Sequence, residues 1–131
     1  VKPIDFVKLA LRRWKDFQGR SRRAEYWWFV LAFTIVCFIA GIIDGVVFGN
    51  METGPLQVVL ILAALVPSIA VSIRRLHDIG RTGWWLLIGL IPFLGFVVLL
   101  YFHVQPGIRG ENRFGPDPLE GEAIAPDPLV N

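Results

Sequence analysis

Three polar clusters hold most of the side chains in this chain that could do chemistry. The first is Gly19-Arg20-Ser21-Arg22-Arg23-Ala24-Glu25-Tyr26-Trp27. The second is Arg74-Arg75-Leu76-His77-Asp78-Ile79-Gly80-Arg81-Thr82-Gly83-Trp84-Trp85. The third is Gly110-Glu111-Asn112-Arg113-Phe114-Gly115-Pro116-Asp117-Pro118. Guanidinium groups grip phosphate in two-pronged fashion, and each cation near an anionic bilayer is worth about 1 kcal/mol of attraction. Arg20, Arg22, Arg23, Arg74, Arg75 and Arg81, with His77, therefore read as sites for anionic phospholipid or a protein partner. Glu25 and Asp78 stand among these cations and are expected to pair with Arg74 or Arg75 as a structural latch between neighbouring helices. Asn112, Arg113, Phe114 and Asp117 lie among glycines and prolines, in a turn-rich loop suited to recognising a neighbouring chain or the outer end of the bundle.

None of the clusters fits a catalytic template. His77 and Asp78 are adjacent, so on a helix their side chains point about 100° apart. The nearby nucleophile candidates are only Ser72 and Thr82. The two histidines are 26 residues apart and give no zinc spacing. The single cysteine, Cys37, excludes an internal disulfide and any multi-cysteine metal site, and its place in an apolar run makes it a small hydrophobe. No glycine-rich phosphate loop follows a strand. The sequence predicts no enzyme, no metal and no cofactor.

The elements that position the clusters follow from composition. The chain has 131 residues, room for one domain, and is 54% apolar and 18% charged, with ten Phe and five Trp. A soluble domain runs about 45–50% apolar and about 25% charged, so disorder, a secreted disulfide scaffold and an ordinary cytosolic core are excluded. Apolar runs at 26–48, 56–73 and 84–104 each approach the roughly 20 residues needed to cross a bilayer. The first starts too late and runs too long for a secretory signal. Before it, residues 4–17 place Ile4, Val7, Leu11 and Trp14 on one arc opposite Lys8, Arg12 and Lys15, the pattern of an amphipathic helix lying in the membrane interface. The expected fold is an all-α membrane protein. Its parts are a basic interfacial segment (1–25), a three-span transmembrane bundle (26–104) and an irregular, then disordered acidic tail (105–131).

Direction comes from the cations. Residues 1–25 carry eight Lys and Arg, 49–55 none, 74–83 three, and 105–131 two against five acids. An N-terminus in the cytoplasm puts eleven inside and two outside, so the C-terminus is expected in the periplasm. The five tryptophans all fall on the same inner side. Pro92 and Gly95 allow a re-entrant hairpin in place of the third crossing, but unpaired backbone groups at its tip would cost several kcal/mol each, so a single crossing is preferred.

In this order and spacing, the arginine-rich, His-Asp and Asn-Arg-Phe-Gly-Pro-Asp-Pro signatures resemble the small bacterial inner-membrane proteins of domain-of-unknown-function family 805 over roughly residues 15–118. The resemblance implies a multi-pass inner-membrane protein and brings no activity with it. The functional expectation is an accessory subunit or scaffold, with a protein partner or homo-oligomer in the membrane and no nucleic acid. The alternative is a small oligomeric transporter or channel component, for which Asp44 is the only acid within a span.

Overall fold

A computed structural model of the chain describes residues 2–49 and 54–119. Helix α1 (Pro3–Arg12) begins with Pro at its first position, and the Asp5 carboxylate accepts from the Lys2 backbone N–H at 3.1 Å. It ends earlier than the apolar pattern over 4–17 requires. Past Arg13 the Asp16 carboxylate takes the N–H groups of Gln18 (3.0 Å) and Gly19 (3.2 Å), an alternative to continuing the helical ladder. Phe6 and Ala10 are buried against helix α2, where Ala10 meets Phe29 and Val71 of α3.

Helices α2 (Arg23–Phe48) and α3 (Pro55–Asp78) have 26 and 24 residues. At 1.5 Å per residue they extend about 39 and 36 Å, more than the roughly 30 Å hydrocarbon layer. Their apolar side chains are largely uncovered: Phe38 is 69% exposed and Val46 81%. By length and composition both helices can cross a membrane, and exposed apolar surface of this kind suits lipid better than water. Helix α2 stops at Gly49, in the left-handed region at φ 66°, whose N–H returns to the Gly45 carbonyl. At the other end of the pair, α3 closes with Gly80 (φ +79°): the Gly80 N–H bonds the His77 carbonyl and the Arg81 N–H the Leu76 carbonyl. That is the Schellman arrangement, which leaves these last-turn carbonyls satisfied.

The third apolar run does not cross as one helix, which corrects the single span expected over 84–104. Gly83–Leu90 forms a 3-10 helix, the chain reverses at Ile91-Pro92-Phe93, and α4 (Leu94–Val104) returns alongside it. Each leg is about 16 Å long, half the apolar layer. The legs touch closely at Gly95, where an added Cβ would overlap the Ile88 carbonyl oxygen. The tip supplies its own partners. Ile91 N–H bonds Ile88 O (3.0 Å), Leu94 N–H bonds Pro92 O (2.8 Å), Gly95 N–H bonds Ile91 O (2.9 Å) and Val97 N–H bonds Phe93 O (3.1 Å). Pro92 has no N–H to satisfy. The cost that favoured a single crossing is therefore met locally, with Phe93 held at φ 70° to make the reversal.

Because the hairpin returns, residues 105–119 lie at the end of the molecule that also holds residues 13–25 and 74–81. The sequence placed this tail at the opposite end, with its third cluster on the outer face; the structure reverses that placement. The segment is turn-rich, with one isolated bridge between Asn112 and Gly115. The acidic stretch from residue 120, expected to be disordered, lies outside the described residues.

Candidate functional site

The best-buried large side chains are mostly not hydrophobic. Arg74, Arg75, Leu76 and Glu25 head the set, and Arg20, Ser21, His77 and Asp78 are buried with them. They meet where the start of α2, the end of α3, the end of α4 and the tail loop converge. Arg74 lies at the centre of one half of this cluster. Its Nε donates to Ser21 Oγ (2.8 Å), Nη1 to the carbonyls of Arg13 (2.6 Å) and Asp16 (2.8 Å), and Nη2 to Glu25 Oε1 (3.4 Å). The other Glu25 oxygen faces Arg13 Nη1 at 3.5 Å. Helices α2 and α3 are thus joined at this end by a Glu25–Arg74 pair.

Asp78 is the centre of the second half. Arg75 Nη1 donates to its Oδ2 (2.7 Å) and Arg20 Nε to its Oδ1 (3.0 Å). The same two arginines bind the returning chain. Arg20 Nη1 donates to the Gly110 carbonyl (2.7 Å), and Nη2 reaches Ile108 O. Arg75 Nε donates to His103 O (3.4 Å), and Nη2 reaches Gln105 O. Arg23 Nη1 adds a bond to Val104 O (2.9 Å), and Trp27 Nε1 one to His103 O (3.1 Å). The final carbonyls of α4 carry partial negative charge and have no partners within the helix, and cations satisfy both needs. Gly107 is required by this packing, since a Cβ there would overlap the Asp78 carboxylate.

The remaining residues singled out from the sequence hold the tail loop. The His77 ring stacks on Phe114 (centroids 4.0 Å apart, planes within 2°), with Nδ1 2.9 Å from the Gly19 carbonyl. Asn112 Nδ2 donates to His77 O (2.9 Å), and Arg113 Nη2 to Gly80 O (3.2 Å). Asp117 accepts the N–H groups of Gly110 (2.8 Å) and Leu119 (2.9 Å). Burial alone would raise the Asp117 carboxyl; these N–H donors, with Arg20 and Arg109, outweigh it and hold the group below the ordinary carboxylate range. Burial likewise opposes ionisation of Asp16, and the N–H groups of Gln18 and Gly19 with Arg13 overcome it. Arg22 is buried over the Phe6 ring (5.2 Å), and Arg81 lies over Phe102 (4.4 Å) and Trp85 (5.0 Å).

This arrangement corrects one expectation in physical terms. Arg20, Arg74 and Arg75 do not face lipid headgroups or a partner, because their guanidinium groups are buried and taken up by internal carboxylates and carbonyls. Arg13, Asp16, Ser21 and the carbonyls of residues 103–110 were not singled out from the sequence. Only Arg13 and Asp16 carried a usable signal, as opposite charges three residues apart. Among the described residues no group of three or more His, Cys, Asp or Glu gathers as a metal site.

The family described as protein of unknown function (DUF805) matches residues 14–116, the stretch that builds this cluster. The chain belongs to the DUF805 family. It is 42% identical over 117 residues to the inner membrane protein YhaH of Escherichia coli K12, covering 88% of this chain and 97% of that protein. It is 41% identical over 112 residues to the inner membrane protein YhaI of the same strain, covering 86% and 93%. A more distant relative, the uncharacterized protein YiiR, is 27% identical over 136 residues, covering 83% and 90%. No solved structure matches the chain. With its two long apolar helices and these relatives, this DUF805 chain is an integral inner membrane protein.

Proposed function

We propose that this DUF805 protein is a non-enzymatic accessory subunit or scaffold that engages anionic lipid and a membrane partner from its basic end. The observation that carries this reading is a division among the cations. Arg20, Arg74 and Arg75 are consumed inside the fold, whereas Lys2, Lys8, Arg12 and Lys15 on and beside α1, and Arg109 on the tail loop, remain exposed. Trp14, Trp84 and Trp85 are exposed as well. Cations and indole rings together suit a headgroup layer.

All thirteen Lys and Arg belong to the segments gathered at this one end. The positive-inside bias then assigns this end to the cytoplasm, so the hairpin re-enters from that side and residues 105–119 are cytoplasmic. A transport role has less support, because both oxygens of Asp44 are engaged by the Leu56 (3.2 Å) and Gln57 (3.0 Å) N–H groups at the start of α3.

Native mass spectrometry of the protein released from membranes tests the reading. Wild type is expected to retain anionic phospholipid and a stoichiometric partner. The combined Lys8→Gln, Arg12→Gln and Lys15→Gln variant is expected to lose most of the lipid at unchanged melting temperature. An unchanged lipid complement in that variant would overturn the lipid assignment, and ion flux by the purified protein in liposomes would overturn the scaffold.

A further inference from the structure

A groove of about 150 Å³ lies between α1, α2 and α3, outside the arginine cluster. Helix α1 contributes Val7 and Leu11 to it, and α3 contributes Ala64. The α2 side is Phe29, Ala32, Phe33 and Val36, a stripe at helical spacing that covers about 10 Å of the helix. All of these side chains are apolar. The Phe29 and Phe33 rings lie parallel with centroids 6.3 Å apart, and the small Ala32 and Ala64 leave the space open. Leu11 is 50% exposed and Val36 47%, so the groove opens at the surface that meets lipid. Its shape and lining suit an extended hydrocarbon chain running along α2.

The cations of α1 say which chain. Lys8 stands three residues before Leu11 and four before Arg12, and residues at those spacings are neighbours on a helix surface. Lys8 and Arg12 are both exposed, and among the described residues neither has a hydrogen-bond or ion-pair partner. Like charges one turn apart repel, and nothing on α1 offsets them. Its one acid, Asp5, accepts instead from the Lys2 backbone N–H. An anion is therefore favoured between Lys8 and Arg12, beside the edge of the groove that Leu11 forms. A phosphodiester supplies that charge, and its acyl chain supplies the groove's occupant. A choline or ethanolamine headgroup brings a cation of its own to the two side chains, so the site prefers lipids with net negative charge.

We infer that an anionic diacyl phospholipid binds at this place, with its phosphate between Lys8 and Arg12 and one acyl chain in the groove along Phe29, Ala32 and Val36. The inference rests on the lipid-engaging role proposed above, and narrows it from a charged surface to one site.

The test uses the full chain in phosphatidylcholine nanodiscs that hold a minor fraction of a photoactivatable lipid. The probe carries a diazirine in one acyl chain and either a glycerol or a choline headgroup. The phosphatidylglycerol probe is expected to label Phe29 and Phe33 in preference to the rest of α2 and α3, and more strongly than the choline probe does. Lys8→Gln or Arg12→Gln should each lower that preference about fivefold, the equivalent of about 1 kcal/mol per cation. Val36→Trp fills the groove from the lipid side and should remove the labelling at unchanged melting temperature. Ala32→Leu, which narrows it from within, should do the same. Equal labelling by the two probes, labels spread evenly over the outer faces of α2 and α3, or undiminished labelling in both groove variants would overturn the site. A crosslink joining two copies at the groove would put a second chain there and overturn it too. Retention of phosphatidylglycerol without groove labelling would overturn the site alone, whereas no retention would overturn the wider lipid reading with it.

Discussion

The two ends of the α2–α3 pair handle buried charge in opposite ways. At the far end, among the described residues, one acid, Asp44 of α2, is 1% exposed and presents its carboxylate to the first N–H groups of α3. At the basic end Arg20 and Arg75, with Asp78, join the ends of α3 and α4 to the tail, and Arg74, with Glu25, joins α3 to the start of α2 and the turn after α1. The helix dipole favours the anion at the start of α3 and the arginines at the last carbonyls of α4. Asp78, the last residue of α3, is instead an anion at a C-terminus and is held there by Arg20 and Arg75. The difference lies in number. A single helix start needs one carboxylate, whereas the convergence of two helix ends with a loop needs many donors, which the five N–H groups of each arginine supply. The far end is a cap. The basic end is a joint.

The largest expected effect comes from breaking the joint at its centre. Asp78→Ala leaves Arg20 and Arg75 buried without their carboxylate and should cost about 3–5 kcal/mol, read as a loss of folded protein in nanodisc melting curves. Gly107→Ala perturbs the same carboxylate by overlap instead of deletion and should cost about 1–3 kcal/mol. Asp44→Ala at the far end should cost about 1 kcal/mol, the usual value of a helix cap. Its effect should add to that of Gly107→Ala, because the two ends share no partner; a coupling above about 0.5 kcal/mol would show that they act as one unit.

The smallest effect is a pH dependence of the tail. Asp117 is held below its unfolded value, so its contribution is fully present above the ordinary carboxylate range and is lost as pH falls through the lower folded value. Hydrogen exchange at the Gly110 and Leu119 amides, corrected for intrinsic rates, should accelerate in that acid window. Asp117→Asn should abolish the dependence.

The two spanning helices were legible in the sequence, since apolar runs of this length match the thickness of a bilayer. The third run was misleading for a physical reason. Hydropathy records that 21 residues are apolar but not whether they cross once or go halfway and return. The hairpin signals, Pro92 and Gly95, were visible, yet the cost of the turn depended on hydrogen bonds at Ile91, Leu94 and Gly95 that are set by backbone angles. In the basic cluster the charged residues stood out by type, but most partners of the arginines are main-chain carbonyls. Any residue supplies a carbonyl, so the bonds from Arg74 to Arg13 and Asp16, or from Arg20 to Gly110, leave no mark in composition or spacing. The hairpin also reframes the charge count: the two cations that a third crossing would have carried outside join the other eleven.

The third segment returns and brings the tail to the basic end. Its direct test starts from Cys37→Ala and adds one cysteine at a time, by Gln18→Cys, Arg109→Cys or Pro55→Cys, with a membrane-impermeant thiol reagent applied to intact and to opened cells. Gln18→Cys and Arg109→Cys should label together, only after the inner membrane is opened, while Pro55→Cys should label in intact cells. Labelling of Arg109→Cys in intact cells, with Gln18→Cys still protected, would mean a third full crossing and contradict the hairpin.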